Sequence, residues 1–312
     1  MCKIFIVDSI SPIIFKFRKV FLEYLISKFI EYHKELSHMP YFKNQEGYNL
    51  YYENINQDSK ACTIILLHGF ASSASFFKAQ IKILKNNYRI IAFDALGHGR
   101  SDHPKEINLS KNLRYDIIRD LENLLEHLEV TEKYGIIGHS LVGGMIGQLF
   151  AVKHPQNIKF LILLNSGYIM IDNVIRNIFY NLLPYFIRMN FLDVVANSVE
   201  KILDKTIPYI ITALSDTLAG LNLTKDQLHM QIEDQIFRMI HEIKEYDPSG
   251  INCPTLIIGG RLDNFAPEQM SEKLHDMIPN STLEIIDMAG HFAPAQRKEV
   301  VNELICNFIR KL

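Results

Sequence analysis

"YGIIGHSLVGG", Tyr134 to Gly144, is an apolar run that ends in a glycine-flanked turn with a serine at its tip. A short continuous apolar stretch bounded by glycine is the pattern of a strand buried on both faces. The stretch that follows, "GMIGQLFAVKHP" (Gly144 to Pro155), reads as a helix. A strand that turns sharply into a helix exposes the residue at the turn. Ser140 therefore stands where an accessible nucleophile would sit.

Outward from this turn the same kind of run recurs: "YNLYYENI" (48–55), "CTIILLHG" (62–69), "YRIIAFDALG" (88–97), "FLILLNSG" (160–167), "TLIIGGRLD" (255–263) and "STLEIIDMAGH" (281–291). Helical stretches such as "NLRYDIIRDLENLLEHLEV" (112–130) separate them. Strands alternating with helices predict βαβ units and a doubly wound, mostly parallel α/β sheet, here over residues 41–168 and 248–312. Over 169–247 the strands stop, and Ile, Leu, Phe, Tyr and Met recur at helical spacing, with Thr224 and Gln227 forming a capping-box pattern. A structureless loop of that length is implausible in a compact domain, so a helical cap over one edge of the sheet is expected.

Residues 1–40 form a further segment. Ile10, Ile13, Ile14, Phe17, Val20, Phe21, Tyr24 and Leu25 recur at helical spacing opposite Lys16, Lys19, Glu23 and Lys28, which predicts an amphipathic helix within residues 9–38. Two readings fit it: a helix packed on the body of the protein or on a second copy, or a peripheral membrane contact with its basic residues toward lipid headgroups. The wide apolar arc, which also includes Phe15, Leu22, Ile26 and Ile30, favours packing.

The chain has 312 residues, 48% hydrophobic and 22% charged, with a net charge of -2, so it has no basic surplus to hold a nucleic acid. A small-molecule partner is expected instead. Cys2, Cys62, Cys253 and Cys306 show no C-x-x-C spacing and read as small core residues in a reducing compartment. Asp8 interrupts the only early apolar run, so no signal peptide is read, and no run reaches the roughly 18 residues of a membrane span. A cytoplasmic protein is expected. No grouping of His, Cys and carboxylates has metal-ligand spacing and no phosphate-binding glycine motif occurs, so neither metal nor other cofactor is expected.

In open α/β sheets ligands bind beyond the carboxyl ends of the strands. The runs deliver His68-Gly69-Phe70, Asp94, Ser140 and Asp263 to that edge, and His291 follows the last run by a few residues. A serine hydroxyl becomes a nucleophile only when a neutral imidazole takes its proton, and the imidazolium then needs a carboxylate. Ser140, His291 and Asp263 can fill these roles. Asp263 can also be read as a turn residue before Asn264.

Taken together, "LLHGF" (66–70), "DALGHGRSD" (94–102), "GHS" (138–140), "GGRLDNFAP" (259–267) and "AGH" (289–291) resemble the α/β-hydrolase family in type and order. The resemblance covers the chain from about residue 41 to its end. It implies a Ser-Asp-His triad on a nucleophile elbow, and an oxyanion hole from the backbone N–H groups of Phe70 and Leu141. His68, Gly69 and His139 fall in the same motifs and are assigned to the substrate-binding region, where His68 and His139, like His98, are expected to be structural members that pack or hydrogen-bond beside the site rather than bases. Asp94, Gly97 and Gly99 are expected to hold a loop.

Val142 departs from the family pattern: it stands two residues after the serine, where G-x-S-x-G has glycine, and Gly143 and Gly144 come one place late. One added residue, absorbed as a wide first turn or π-bulge, is the expected explanation. Two classes of function follow. One is a serine hydrolase of an apolar carboxylic ester or thioester, with an acyltransferase or a C–C bond hydrolase using the same triad. The other is a non-catalytic ligand-binding protein of the same fold. A serine rather than an aspartate nucleophile, and the absence of Trp, argue against epoxide and haloalkane chemistry.

Overall fold

Unbroken apolar runs cannot face water on either side, and in the fold they become the interior of one sheet. The computed structural model describes residues 40–57, 61–69, 72–102, 117–168 and 247–312. The expected N-terminal helix lies outside the described residues, as does the expected cap apart from Asp247.

The sheet has eight strands: β1 (Tyr41–Lys43), β2 (Asn49–Ile55), β3 (Thr63–Leu67), β4 (Arg89–Phe93), β5 (Tyr134–His139), β6 (Ile158–Leu164), β7 (Thr255–Gly260) and β8 (Ser281–Ile286). Their spatial order is β1-β2-β4-β3-β5-β6-β7-β8. The first two pairings, β1 with β2 and β2 with β4, are antiparallel. All later ones are parallel. The sequence did not foretell β1, whose three residues are too short to show a period. Every residue of β3, β5 and β7 is buried, whereas edge strand β8 alternates between half-buried and exposed positions until the buried Ile286.

Among the described residues the α-helices are α1 (Lys78–Leu84), α2 (Ile117–His127), α3 (Ser140–Lys153), α4 (Glu268–Met277), α5 (Ala293–Gln296) and α6 (Lys298–Arg310). Successive strand residues point to opposite faces, so the core divides into two layers. Ile65, Leu67, Ile136, Leu161 and Leu163 meet Leu121 of α2 and Phe150 of α3 on one side. On the other, Ile64, Leu66, Ile137 and Ile162 meet Phe77, and Val301, Ile305 and Ile309 of α6. Each fully buried Leu, Ile or Phe contributes about 1.5–3 kcal/mol, against about 0–1 kcal/mol for a surface ion pair such as Lys153 with Glu122. The two apolar layers therefore hold the frame.

One close approach positions the site. A side chain on Gly138 would overlap the Gly143 carbonyl, one on Gly143 the carbonyls of Leu67 and His68, and one on Gly144 the Ser166 hydroxyl. These glycines let α3 lie directly on the ends of β3, β5 and β6. The expected π-bulge is absent: after Ser140 the segment runs as α-helix to Lys153 with no π turn. Val142 is accommodated because the bare-backbone contact falls at Gly143, while Val142 is half-buried against the first core layer. Gly143→Ala should therefore cost about 1–3 kcal/mol of stability. Val142→Ala should cost under about 1 kcal/mol, because helix propensity offsets part of the lost burial. Urea unfolding of the two variants separates them; equal costs would contradict this account of the turn.

Candidate active site

β5 is extended to its last residue, His139 (φ -110, ψ 143), and α3 begins at the next. Such an abrupt change needs a left-handed residue at the junction, and Ser140 has φ 65. A non-glycine residue held there costs about 1–3 kcal/mol and persists only when its surroundings enforce it. Gly69 is part of that enforcement, since a Cβ at this position would lie 2.8 Å from the Ser140 Cβ and 3.0 Å from His139 Nδ1.

The loops after β7 and β8 bring the other two side chains to this point. Ser140 Oγ lies 2.8 Å from His291 Nε2. His291 Nδ1 lies 2.9 Å from Asp263 Oδ2 and 3.1 Å from Oδ1. In this arrangement the serine O–H donates to Nε2 and the Nδ1–H donates to the carboxylate. The backbone N–H groups of Phe265 and Ala266, each at 2.8 Å, also donate to Asp263 Oδ1. Burial alone would raise the Asp263 pKa. The hydrogen bond and charge of His291, with the Ala266 N–H and the Asn165 amide, outweigh it and leave the carboxyl below its ordinary range.

The amino end of α3 has no side-chain cap and no acid in its first turn. Its first N–H groups have no partner within the helix and lie at the positive end of the helix dipole. Leu141 is the second residue of that turn. Phe70, the other expected oxyanion donor, lies outside the described residues.

His68 and His139 take the structural role that their motifs suggested and do not reach the substrate-binding surface. His68 is buried, its Nδ1–H donates to Gly69 O at 2.7 Å and its Nε2 accepts the Ala95 N–H at 3.1 Å. With both nitrogens engaged by backbone it has none left for substrate, and burial takes its pKa down to about 4. His139 is also buried, stacks on Phe76 with ring centroids 4.2 Å apart, and donates from Nε2 to the His291 carbonyl at 2.9 Å. Burial, reinforced by the nearby His291, takes its pKa down to about 3. Both rings are neutral framework rather than substrate-binding surface, and Gly69 serves by leaving room for Ser140.

Asp94 holds a loop, as the sequence suggested. It accepts the Ala74 N–H at 2.6 Å and the Arg100 N–H at 2.9 Å, beside Gly97 (φ 77) and Gly99 (φ 50). Burial pushes its pKa up to about 7 even though those N–H groups oppose the shift.

Sequence reading missed Asn165. It follows β6 directly, is fully buried with φ 49, and donates from Nδ2 to Asp263 Oδ2 at 2.9 Å and to Gly290 O at 3.1 Å. The available signal was an Asn, a residue that tolerates the left-handed region, directly after a buried run.

A family profile described as alpha/beta hydrolase fold matches residues 63–297. The hydrolase YugF of Bacillus subtilis (strain 168) is 30% identical over 272 residues, covering 85% of this chain and 96% of that protein. Epoxide hydrolase 4 of Homo sapiens is 25% identical over 268 residues, covering 80% of this chain and 72% of that one. Among solved structures, an esterase from Exiguobacterium antarcticum superposes with a TM-score of 0.68 at 19% identity, over 87% of this chain and 99% of its own.

The strained serine has a measurable consequence. Ser140→Gly and Ser140→Ala both lose the hydroxyl, but only alanine keeps the left-handed penalty. The glycine variant should be the more stable of the two by about 1 kcal/mol, after allowing for the entropy of glycine in the unfolded chain. Thermal unfolding of the pair tests this, and an alanine variant of equal or greater stability would rule out the strain.

Proposed function

The chain belongs to the alpha/beta hydrolase fold family, and on that premise we propose that it is a serine hydrolase cleaving a carboxylic ester or thioester of an apolar small molecule through an acyl-enzyme. The observation that carries this reading is the unbroken line Ser140 Oγ, His291 Nε2, His291 Nδ1, Asp263, with every gap at hydrogen-bond distance. In it His291 takes the serine proton as Oγ attacks the carbonyl carbon, then passes that proton to the departing alkoxide or thiolate. Water attacks the acyl-enzyme by the reverse roles, giving the carboxylic acid and free serine. The charge that develops on the carbonyl oxygen suits the uncapped N–H groups at the amino end of α3, with Leu141 and Phe70 as the assigned donors.

A non-catalytic binding protein would have no use for a serine held in a strained conformation against a base. That contrast favours the enzyme. The hydroxyl at the turn, in place of a carboxylate, argues against epoxide opening despite the similarity to Epoxide hydrolase 4. An apolar substrate group is supported by the surroundings of His291, which has the half-exposed Phe265 at 5.1 Å and Phe292 at 5.6 Å between ring centroids. Residues 169–247 are assigned as the cap that would cover that group.

The test is a panel of p-nitrophenyl esters of increasing acyl length, with wild type, Ser140→Ala and Asp263→Asn. Wild type should prefer the longer acyl chains, and each substitution should lower kcat by at least about 10³-fold. A Ser140→Ala variant as active as wild type would dismiss the nucleophile. An acceptor alcohol that diverts the acyl group from water would recast the protein as an acyltransferase.

A further inference from the structure

We propose that Asn165 is a positioning residue for the relay, its single amide nitrogen holding the acid and the base in register; this rests on the serine-hydrolase reading above. The acid and the base lie on separate loops, Asp263 after β7 and His291 after β8. Loops alone do not fix two side chains to a fraction of an ångström. Asn165 joins them: one Nδ2–H goes to Asp263 Oδ2 and the other to the carbonyl of Gly290, the residue directly before the base.

The amide is itself rigidly placed. Asn165 is fully buried at the end of β6, adjacent to β7, and its backbone N–H donates to Ile258 O at 2.7 Å. Its φ of 49 is a conformation that asparagine tolerates better than most residues, and it turns the chain at the strand end.

The chemistry of the amide also fits. Oδ1 of Asp263 is held by two backbone N–H groups, whereas among the described residues Oδ2 has only His291 and Asn165. Removing the amide would leave Oδ2 with the imidazole alone and let the carboxylate swing away from a symmetric grip on Nδ1. Only a side chain with two donors can serve Asp263 and Gly290 together. A carboxylate at 165 would instead place a second acid within hydrogen-bond distance of the first, and such a pair retains one proton. The titratable groups facing this cluster are Asp263, His291 and, one ring beyond, His139.

The test reads the rate at which a fluorophosphonate labels Ser140, in wild type, Asn165→Ala and Asn165→Asp, from pH 5 to 9 with folding checked by circular dichroism. Asn165→Ala should be labelled about tenfold more slowly at every pH. Asn165→Asp should behave differently. While it keeps the shared proton it still donates to Asp263, so its rate relative to wild type should be highest at low pH and fall as the proton is lost. If Asn165→Ala does not fold, the aspartate variant alone decides. Labelling of Asn165→Ala at the wild-type rate, or an aspartate-to-wild-type ratio independent of pH, would overturn the inference and leave the function standing. Failure to label wild type would remove the serine-hydrolase reading, and this inference with it.

Discussion

The left-handed backbone of Ser140 is the constraint around which the site is arranged. An extended strand ends at His139 and a helix starts one residue later, so the serine must take a φ of 65. The cost of about 1–3 kcal/mol is sustained because Gly69, Gly138 and Gly143 let the neighbouring backbone close to distances that forbid a side chain. Relaxing the turn would push α3 into the ends of β3 and β5. The hydroxyl is thereby aimed at His291 before any ligand arrives, and pre-organisation of this kind is what lets a serine react.

His68, His139 and His291 lie close together, and environment alone separates them. His68 and His139 are sealed in the interior, where burial disfavours the charged ring, and each uses its N–H to tie down a backbone carbonyl. The side chain of His291 is 10% exposed and has a carboxylate behind it. Only this ring has both a proton donor on one nitrogen and a charge partner on the other. His139 supports it indirectly by holding its carbonyl, while Gln296 of α5 accepts the N–H of the preceding Gly290 at 2.8 Å. His291 is thus held through the backbone on two sides.

The strand segments and the candidate residues Ser140, Asp263 and His291 were legible because their signals are local, whereas the order of the strands in the sheet was not. Continuous apolar runs mark strands buried on both faces, and the polar residue after each run falls at the sheet's carboxyl edge. Strand β1 escaped because three residues cannot show a period. Val142 looked like a defect because the glycine motif counts residues, whereas the fold tests distances: the bare-backbone contact falls one residue later, on Gly143. His68 and His139 were legible as structural members of their motifs, but a histidine in a motif carries no mark of which backbone groups its nitrogens will hold.

The sequence by itself determined which segments form the sheet and which hydroxyl, imidazole and carboxylate stand at its rim, since hydropathy period and side-chain chemistry are properties of short stretches. Tertiary structure alone decided that Ser140 and His291, 151 positions apart, meet at 2.8 Å, and that Asn165 bridges the loops of Asp263 and His291. Those facts depend on the stagger of β5 to β8 and on the direction in which each strand end turns. Both are set by packing between residues far apart along the chain, which no local pattern records.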